Sequence, residues 1–230
     1  MTKEALDKLK HKTVLVKILK EIYSDPDLRN ILGFKGGTAA LLFYNLPRLS
    51  VDLDFNLLDI SKKKLVFEKV EKILAKFGKI RQAREKRYTL FFLLSYQKYK
   101  RNLKIDISKR AGSTQFELKS YLGIPMLVVK RQSMLAGKLS AFLTRRKLAS
   151  RDLFDLWFFL KKDWQIDKKV LKEKTDLPLK KALRKAIVKT KKIKRRQLLQ
   201  GLGELLDEKQ KVWAREKLRE ELIFQLKLRL

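Results

Sequence analysis

The chain has 230 residues, 45% of them hydrophobic, which is enough for one sizeable core or two small ones. Its 57 Lys and Arg residues against 25 Asp and Glu give a formal net charge of +32. The absence of cysteine excludes disulfides, thiolate-ligated zinc and thiol nucleophiles. The only histidine, His11, has no nearby partner for Ser–His chemistry, so we expect it to lie on a helix surface.

The excess of positive charge favours an anionic partner, because Lys and Arg side chains that neutralise phosphates release counterions. Lysine-rich solvated surfaces are the alternative, but +32 is more than solubility requires. The segment at the amino terminus lacks the apolar stretch of a signal peptide, and no apolar run reaches the length of a membrane span. We therefore expect a cytoplasmic protein that binds nucleic acid and no membrane.

Hydrophobic periodicity predicts helices and strands in mixed order over residues 1–129. In chain order, the predicted elements are a helix, a second helix that begins after two glycines, a strand, a third helix and three strands: Glu4–Tyr23, Thr38–Leu46, Arg48–Leu57, Ser61–Phe77, Lys79–Lys86, Tyr88–Tyr96 and Leu103–Ser108. The basic segment Gln97–Asn102 is predicted to turn between the last two strands. Short extended segments follow at Thr114–Tyr121 and Pro125–Val129.

Residues 130–230 are predicted to be helical. The predicted helices are Gln132–Arg145, Asp152–Lys161, Leu179–Leu206 and Glu208–Leu230. The segment Asp163–Leu179 has low apolar content and contains Pro178, so it is predicted to be a boundary. The order of elements predicts an α/β (α+β) fold, in which a mixed sheet is flanked by helices and followed by a helical C-terminal region.

Two short motifs suggest phosphate and metal chemistry. Gly36 and Gly37 precede Thr38, which could cap a helix whose first N–H groups bind a phosphate. Asp52 and Asp54 are two residues apart on a predicted strand, so their carboxylates would share one face. Such a pair is costly unless a cation lies between the two charges, and oxygen ligands alone favour Mg²⁺ or Mn²⁺. The polar face of a half-buried strand is the alternative explanation of the pair.

The segment from Lys35 to Phe55 carries a family resemblance, and a second block supports it. That block comprises Lys138–Phe142 and Arg151–Leu156. Together they resemble the AbiEii/AbiGii-type toxins, nucleotidyltransferases of the polymerase-β-like superfamily, over roughly the first two-thirds of the chain. The resemblance implies a nucleotidyltransferase-like sheet and transfer of NMP from NTP to an RNA 3′ end, with tRNA as acceptor. It also implies a cognate antitoxin and a toxin–antitoxin or phage-defence role.

The motifs and the resemblance together define the predicted site. Predicted nucleotide-binding residues are Lys35, Gly36, Gly37, Thr38, Arg48, Ser50 and Lys138. Predicted metal ligands are Asp52, Asp54 and Asp106. The resemblance implies that Asp106 is the third carboxylate, on the neighbouring strand; a strand-end aspartate is the alternative. The same three aspartates are predicted to be catalytic, together with Lys138 and Asp152. Asp152 could instead cap a helix or pair with Lys138.

The predicted domains are residues 1–129, the nucleotidyltransferase core, and residues 130–230, in which 130–162 completes the active site and 180–230 forms basic helices. Lys180–Arg196 contains ten Lys or Arg residues and no acidic residue. Its interleaved apolar residues predict a packed helix with a basic face along which an RNA backbone could run; a solvated face is the alternative. Two other functions stay open: a non-catalytic RNA-binding module, and nucleotide transfer to a protein side chain.

Overall fold

The computed structural model describes residues 3–96 and 102–230, and side chains from residue 9 onward. Most of the predicted turn Gln97–Asn102 lies outside the described residues. The strands are β1 Leu32–Lys35, β2 Leu53–Leu57, β3 Lys79–Glu85, β4 Thr89–Ser95, β5 Leu103–Ser108, β6 Phe116–Tyr121 and β7 Ile124–Val129. The helices are α1 Lys3–Ser24, α2 Gly36–Tyr44, α3 Lys63–Ala75, α4 Arg131–Thr144, α5 Ser150–Lys161, α6 Lys168–Thr175, α7 Leu179–Lys191, α8 Glu208–Glu216 and α9 Leu218–Lys227.

The described strands form one seven-stranded sheet in the order β3-β4-β5-β2-β1-β7-β6. The pairs β2/β5 and β1/β7 are parallel and the other pairs are antiparallel. A mixed sheet with helices is the fold class that the sequence predicts, and the prediction is confirmed.

The chain divides into two compact units. The first comprises Met1–Ala111 and Phe116–Val129, and the second comprises Gly112–Gln115 and Lys130–Leu230. The sheet and helices α1 to α3 belong to the first unit, and helices α4 to α9 belong to the second.

One face of the sheet forms the core of the first unit. Alternate residues of the central strands are fully buried there because successive side chains of a strand point to opposite faces: Leu32, Phe34, Leu53, Phe55, Phe92, Ile105 and Ile107 are 0% exposed. The residues between them are polar in β2 and β5, so the second face of the sheet carries the candidate site.

Helix α5 lies at the centre of the second unit. It contacts α4 and α9, and its residues from Asp152 to Leu160 are all buried. The ring of Trp157 packs against that of Trp213 of α8, with ring centroids 4.1 Å apart and an angle of 42° between the ring planes. Trp157, Phe158 and Phe159 therefore belong to the core of the second unit.

Two sequence predictions around β1 and β2 are wrong. The strand β1 (Leu32–Lys35) was not predicted, because four residues are too few to show an alternation. The predicted strand Arg48–Leu57 is shorter, since β2 begins at Leu53. The residues before it are held by side-chain contacts with the start of α2 instead of by strand pairing.

Three predictions in the C-terminal region are also wrong. The predicted boundary contains helix α6, whose start is capped by Asp167 and which buries Val170 and Leu171. The predicted helix Leu179–Leu206 ends at Lys191 and continues as 3₁₀ turns. A helix cannot pass through Gly201, where φ is +67°. The predicted helix Glu208–Leu230 is broken between α8 and α9 at Lys217.

Within residues 3–96 and 102–230, no helix has both the length and the apolar character that crossing a membrane requires.

Candidate functional site

The junction between β1 and α2 brings backbone close to a carboxylate. Helix α2 begins at Gly36, directly after the strand, and Gly36 has φ +80°. A Cβ atom at Gly36 would lie 2.2 Å from Oδ2 of Asp54. Only glycine combines this left-handed conformation with this approach. The glycine therefore lets the start of α2 lie directly against the Asp54 side chain.

The next residues form a polar cradle beside the start of α2. A Cβ atom at Gly37 would lie 2.7 Å from Ser50 Oγ and 3.0 Å from an Nη atom of Arg48. Arg48 is only 5% exposed, and its Nη1 donates to the backbone oxygen of Leu49 at 2.7 Å. A buried guanidinium beside helix N–H groups is an arrangement suited to an oxyanion.

Thr38 does not cap the helix, contrary to the sequence prediction. The residue before α2 is Lys35, which provides no side-chain cap. Thr38 Oγ1 lies 3.0 Å from Ser50 Oγ and donates to the backbone oxygen of Asp52. Thr38 therefore fixes the segment that leads into Asp54.

The aspartates approach one another through strand register. Asp54 in β2 pairs with Asp106 in the parallel strand β5, so the two side chains point to the same face of the sheet. Asp52 lies directly before β2, outside the strand in which it was predicted. Lys35 pairs with Asp54 on the other side and donates to Asn56 Oδ1. Asp54 is thus flanked by a carboxylate and by an ammonium group.

The donor chemistry of Asp52, Asp54 and Asp106 fits a hard cation, because it consists of carboxylates alone. In the described parts of the chain, however, no three His, Asp or Glu side chains lie close enough together to hold a metal ion. Asp106 Oδ2 lies 3.4 Å from Lys104 Nζ instead. The register brings Asp54 and Asp106 together, but the three carboxylates do not form a preassembled cluster.

His11 is a residue that the sequence analysis misplaced. It is half-buried, not on an open helix surface. Its Nε2 lies 3.0 Å from the backbone oxygen of Val51, and its Nδ1 contacts the hydroxyl of Tyr96. Because a carbonyl oxygen can only accept, Nε2 carries the hydrogen. His11 anchors the residue before Asp52 to α1, and no local pattern indicates a contact 40 residues away.

In the second unit, Lys138 lies within a buried ionic group. Its Nζ is 2.6 Å from Asp155 Oδ2 and 3.3 Å from Asp152 Oδ1. The two carboxylates are 0% and 2% exposed, and the Lys138 side chain is 15% exposed. Arg145 Nη1 lies 3.3 Å from Asp152 Oδ2, although within the described residues that oxygen has no aligned hydrogen-bond donor. Asp152 is therefore a partner of Lys138 and not the N-cap of α5, which is Ala149.

The close approach at Gly36 gives a testable expectation. Gly36→Ala should lower the free energy of unfolding by up to about 3 kcal/mol, because it adds a collision with Asp54 to the strain of a positive φ. Gly123→Ala is the matched control: φ there is +76°, but nothing lies within 4 Å of its Cβ position. Gly123→Ala should lower the free energy of unfolding by only about 1–2 kcal/mol. Urea denaturation of both variants measures the difference; equal losses would contradict the close approach.

The chain resembles two solved structures from Helicobacter pylori. One, described as a candidate nucleotidyltransferase, is 20% identical, with a TM-score of 0.60 and coverage of 100% of this chain and 99% of the other. The second, JHP933, is 21% identical, with a TM-score of 0.59 and coverage of 97% and 94%. At such identities the likeness shows a common fold. No curated protein matches the chain significantly.

A family model described as "Nucleotidyl transferase AbiEii toxin, Type IV TA system" matches residues 17–223. The match covers the glycine pair, the three aspartates and the Lys138 group. It also extends well beyond the two-thirds of the chain in which the sequence analysis found motifs. The chain therefore belongs to the AbiEii nucleotidyltransferase toxins of type IV toxin–antitoxin systems.

Proposed function

We propose that this toxin transfers NMP from an NTP to the 3′-hydroxyl of an RNA, with a divalent cation as cofactor. The observation that carries the proposal is the pairing of Asp54 with Asp106 beside the glycine start of α2. Carboxylates next to helix N–H groups and a buried arginine can serve the two ends of one reaction centre. The carboxylates suit a metal and an attacking hydroxyl, and the helix N–H groups and the arginine suit phosphate oxygens.

Residues of the first unit would bind both the metal ion and the triphosphate. Asp52, Asp54 and Asp106 would hold Mg²⁺ or Mn²⁺, which supplies positive charge to the phosphate oxygens. The N–H groups at Gly36 and Gly37, together with Arg48 and Ser50, would orient the triphosphate. The acceptor hydroxyl would give its proton to a carboxylate of the site, its oxygen would form a bond to the α-phosphorus, the bond from that phosphorus to the bridging oxygen would break, and pyrophosphate would leave.

The family resemblance assigns Lys138 a contact with the triphosphate and Asp152 a catalytic role. Both assignments stay predictions. The salt bridges of Lys138 to Asp152 and Asp155 support a simpler role for the aspartates, which is to hold the ammonium group in one position.

RNA as acceptor is supported by charge. In α7, Ala182, Leu183, Ala186 and Ile187 are buried, as the sequence predicts, and the basic residues between them are exposed except Lys189. Lys189 donates to the carbonyl oxygens of Phe142, Leu143 and Arg145, and burial lowers its pKa below the ordinary value. Lys181, Arg184 and Lys185 of α7, with Lys192 directly after the helix, line a cleft of about 610 Å³. We propose that this basic face follows an RNA backbone.

The RNA-backbone role of α7 predicts a loss of salt dependence. The test variant changes four exposed cleft residues to Gln: Lys181, Arg184, Lys185 and Lys192. Each lost phosphate contact should reduce the slope of log K against log salt by roughly 0.7 to 0.9. A control with the same net charge changes four exposed residues elsewhere: Lys168, Lys169, Lys172 and Lys209. Titration of labelled tRNA at several salt concentrations measures the slope for each variant. The same slope for the cleft variant and the control would show that α7 is only a solvated face.

The acceptor is proposed to be tRNA because the family resemblance implies it. Membership of a type IV toxin–antitoxin family implies an antitoxin partner as well. NTPs and tRNA meet in the cytoplasm, where we propose that the reaction takes place.

The decisive experiment incubates the protein with Mg²⁺, each labelled NTP in turn, and either purified tRNA or a protein extract. Label that appears at the 3′ end of RNA supports the proposal. Label on protein instead would show transfer to a side chain, and no transfer together with RNA binding would indicate a non-catalytic module. Replacing Mg²⁺ by EDTA should abolish the transfer.

A further inference from the structure

A second cationic surface lies at the turn between β3 and β4, in the first unit. Its centre is Tyr88, which is 43% exposed. The guanidinium carbons of Arg87 and Arg110 lie 5.0 Å and 4.4 Å from the centroid of its ring. Lys86 is exposed beside them. We name these four residues the Tyr88 cluster.

The backbone holds the Tyr88 cluster in place. Lys86 N–H donates to the backbone oxygen of Thr89 at 2.8 Å, which closes the turn. Lys109 N–H donates to the backbone oxygen of Tyr88, also at 2.8 Å, which ties the turn to the end of β5. The ring and its cations are therefore presented on a fixed frame and not on a loose loop.

The positive charge of the cluster is not neutralised by carboxylates. Within residues 3–96 and 102–230, no acidic side chain forms an ion pair with Lys86, Arg87 or Arg110. The neighbouring Glu85 is engaged elsewhere, since Lys109 and Lys63 contact it at 2.5 Å and 3.1 Å. Hydrogen bonds from those two lysines lower the pKa of Glu85. Two guanidinium groups thus lie against one exposed aromatic ring, and the ammonium group of Lys86 lies over the neighbouring ring of Phe91.

A series of contacts leads from the cluster to the candidate metal ligands. Lys86 Nζ lies 3.6 Å from the ring centroid of Phe91, and Lys104 Nζ lies 5.8 Å from it. Phe91 pairs with Asp106, which pairs with Asp54. Tyr88 precedes Phe91 by three residues, which corresponds to roughly 10 Å along an extended strand. The centre of the cluster therefore lies about that far along the chain from the residue that pairs with Asp106, apart from the aspartates.

We propose that the Tyr88 cluster binds the unpaired end of the acceptor RNA, with one base stacked on Tyr88 and adjacent phosphates on Arg87, Arg110 and Lys86. An exposed aromatic ring combined with uncompensated cations suits single-stranded nucleic acid, whose bases are free to stack. A duplex keeps its bases stacked internally and gains only the phosphate contacts. The proposal rests on the proposed function for the identity of the acceptor.

The test is binding of a fluorescein-labelled single-stranded RNA octamer to the full chain, without NTP or metal. Tyr88→Ala should weaken binding roughly 5- to 150-fold, the range of one base–aromatic stack, and Tyr88→Phe should bind like the wild type. Phe224→Ala is the matched control, because Phe224 is an aromatic residue that is 55% exposed in α9. Arg87→Ala with Arg110→Ala should reduce the salt slope by about 1.4. Thermal melting verifies that each variant is folded.

Three outcomes would overturn the inference: Tyr88→Ala binds the octamer within twofold of the wild type, Tyr88→Phe loses as much affinity as Tyr88→Ala, or the same variants weaken duplex RNA equally. The assay is independent of the chemistry. If no transfer to RNA is found but Tyr88→Ala still weakens octamer binding, the proposed function fails, and the Tyr88 cluster remains a site for single-stranded RNA that is not an acceptor. If transfer to RNA occurs and octamer binding is unchanged, this inference fails alone.

Discussion

Replacing Asp54 by asparagine is expected to lower the rate of nucleotide transfer by at least about 100-fold, beyond the 10- to 100-fold typical of groups that act behind a metal ligand. Asparagine keeps the size of the side chain and removes its negative charge. Asp52 and Asp106 would then have to hold the cation with one negative charge fewer in the site. Asp52→Asn and Asp106→Asn should behave in the same way.

The measurement is the initial rate with labelled NTP and RNA, and Glu68→Gln provides the control. Glu68 is an exposed carboxylate of α3, so this change removes the same charge from the same unit without touching the site. Circular dichroism melts of all variants separate lost chemistry from lost fold. Normal transfer by Asp54→Asn would rule out a metal held by the aspartates, and toxicity in cells should follow the rates.

The sequence motifs could predict the part of the site that depends on the conformation of the local backbone. Gly36 could be recognised from the sequence as part of a glycine pair before a helix, and its left-handed conformation against Asp54 is the structural reason for glycine there. Asp106 could be placed beside Asp54 only through the resemblance. Its position depends on a parallel pairing of strands about 50 residues apart, which no local pattern indicates.

Several of the wrong predictions share a physical cause, which is that tertiary packing overrides local propensity. Helix α6 buries only Val170 and Leu171, so its sequence resembles a linker. His11 gives no local indication of its contact with the backbone of Val51. The break at Lys217 occurs without glycine or proline, so no residue at the break indicates it in the sequence.

The second large effect concerns the buried ionic group of the second unit. Lys138→Met is expected to lower the free energy of unfolding by about 3–5 kcal/mol, because it leaves the buried carboxylates of Asp152 and Asp155 with too little positive charge. Lys161→Met, at an exposed lysine, should change it by less than about 0.5 kcal/mol. Urea denaturation measures both. An unchanged midpoint for Lys138→Met would show that the group is not held as a buried ionic network.

A double variant, Lys138→Met with Asp155→Leu, separates the structural role of Lys138 from a chemical one. Removing both partners of a buried ion pair is often neutral, so the part of the lost stability that comes from Asp155 should return, while Asp152 keeps its contact with Arg145. If Lys138 contacts the triphosphate, as the family resemblance implies, the rate of nucleotide transfer should stay low in this stable protein. If the rate returns with the stability, Lys138 serves only to balance the two carboxylates, and the phosphates depend on the residues around Gly36 and Arg48.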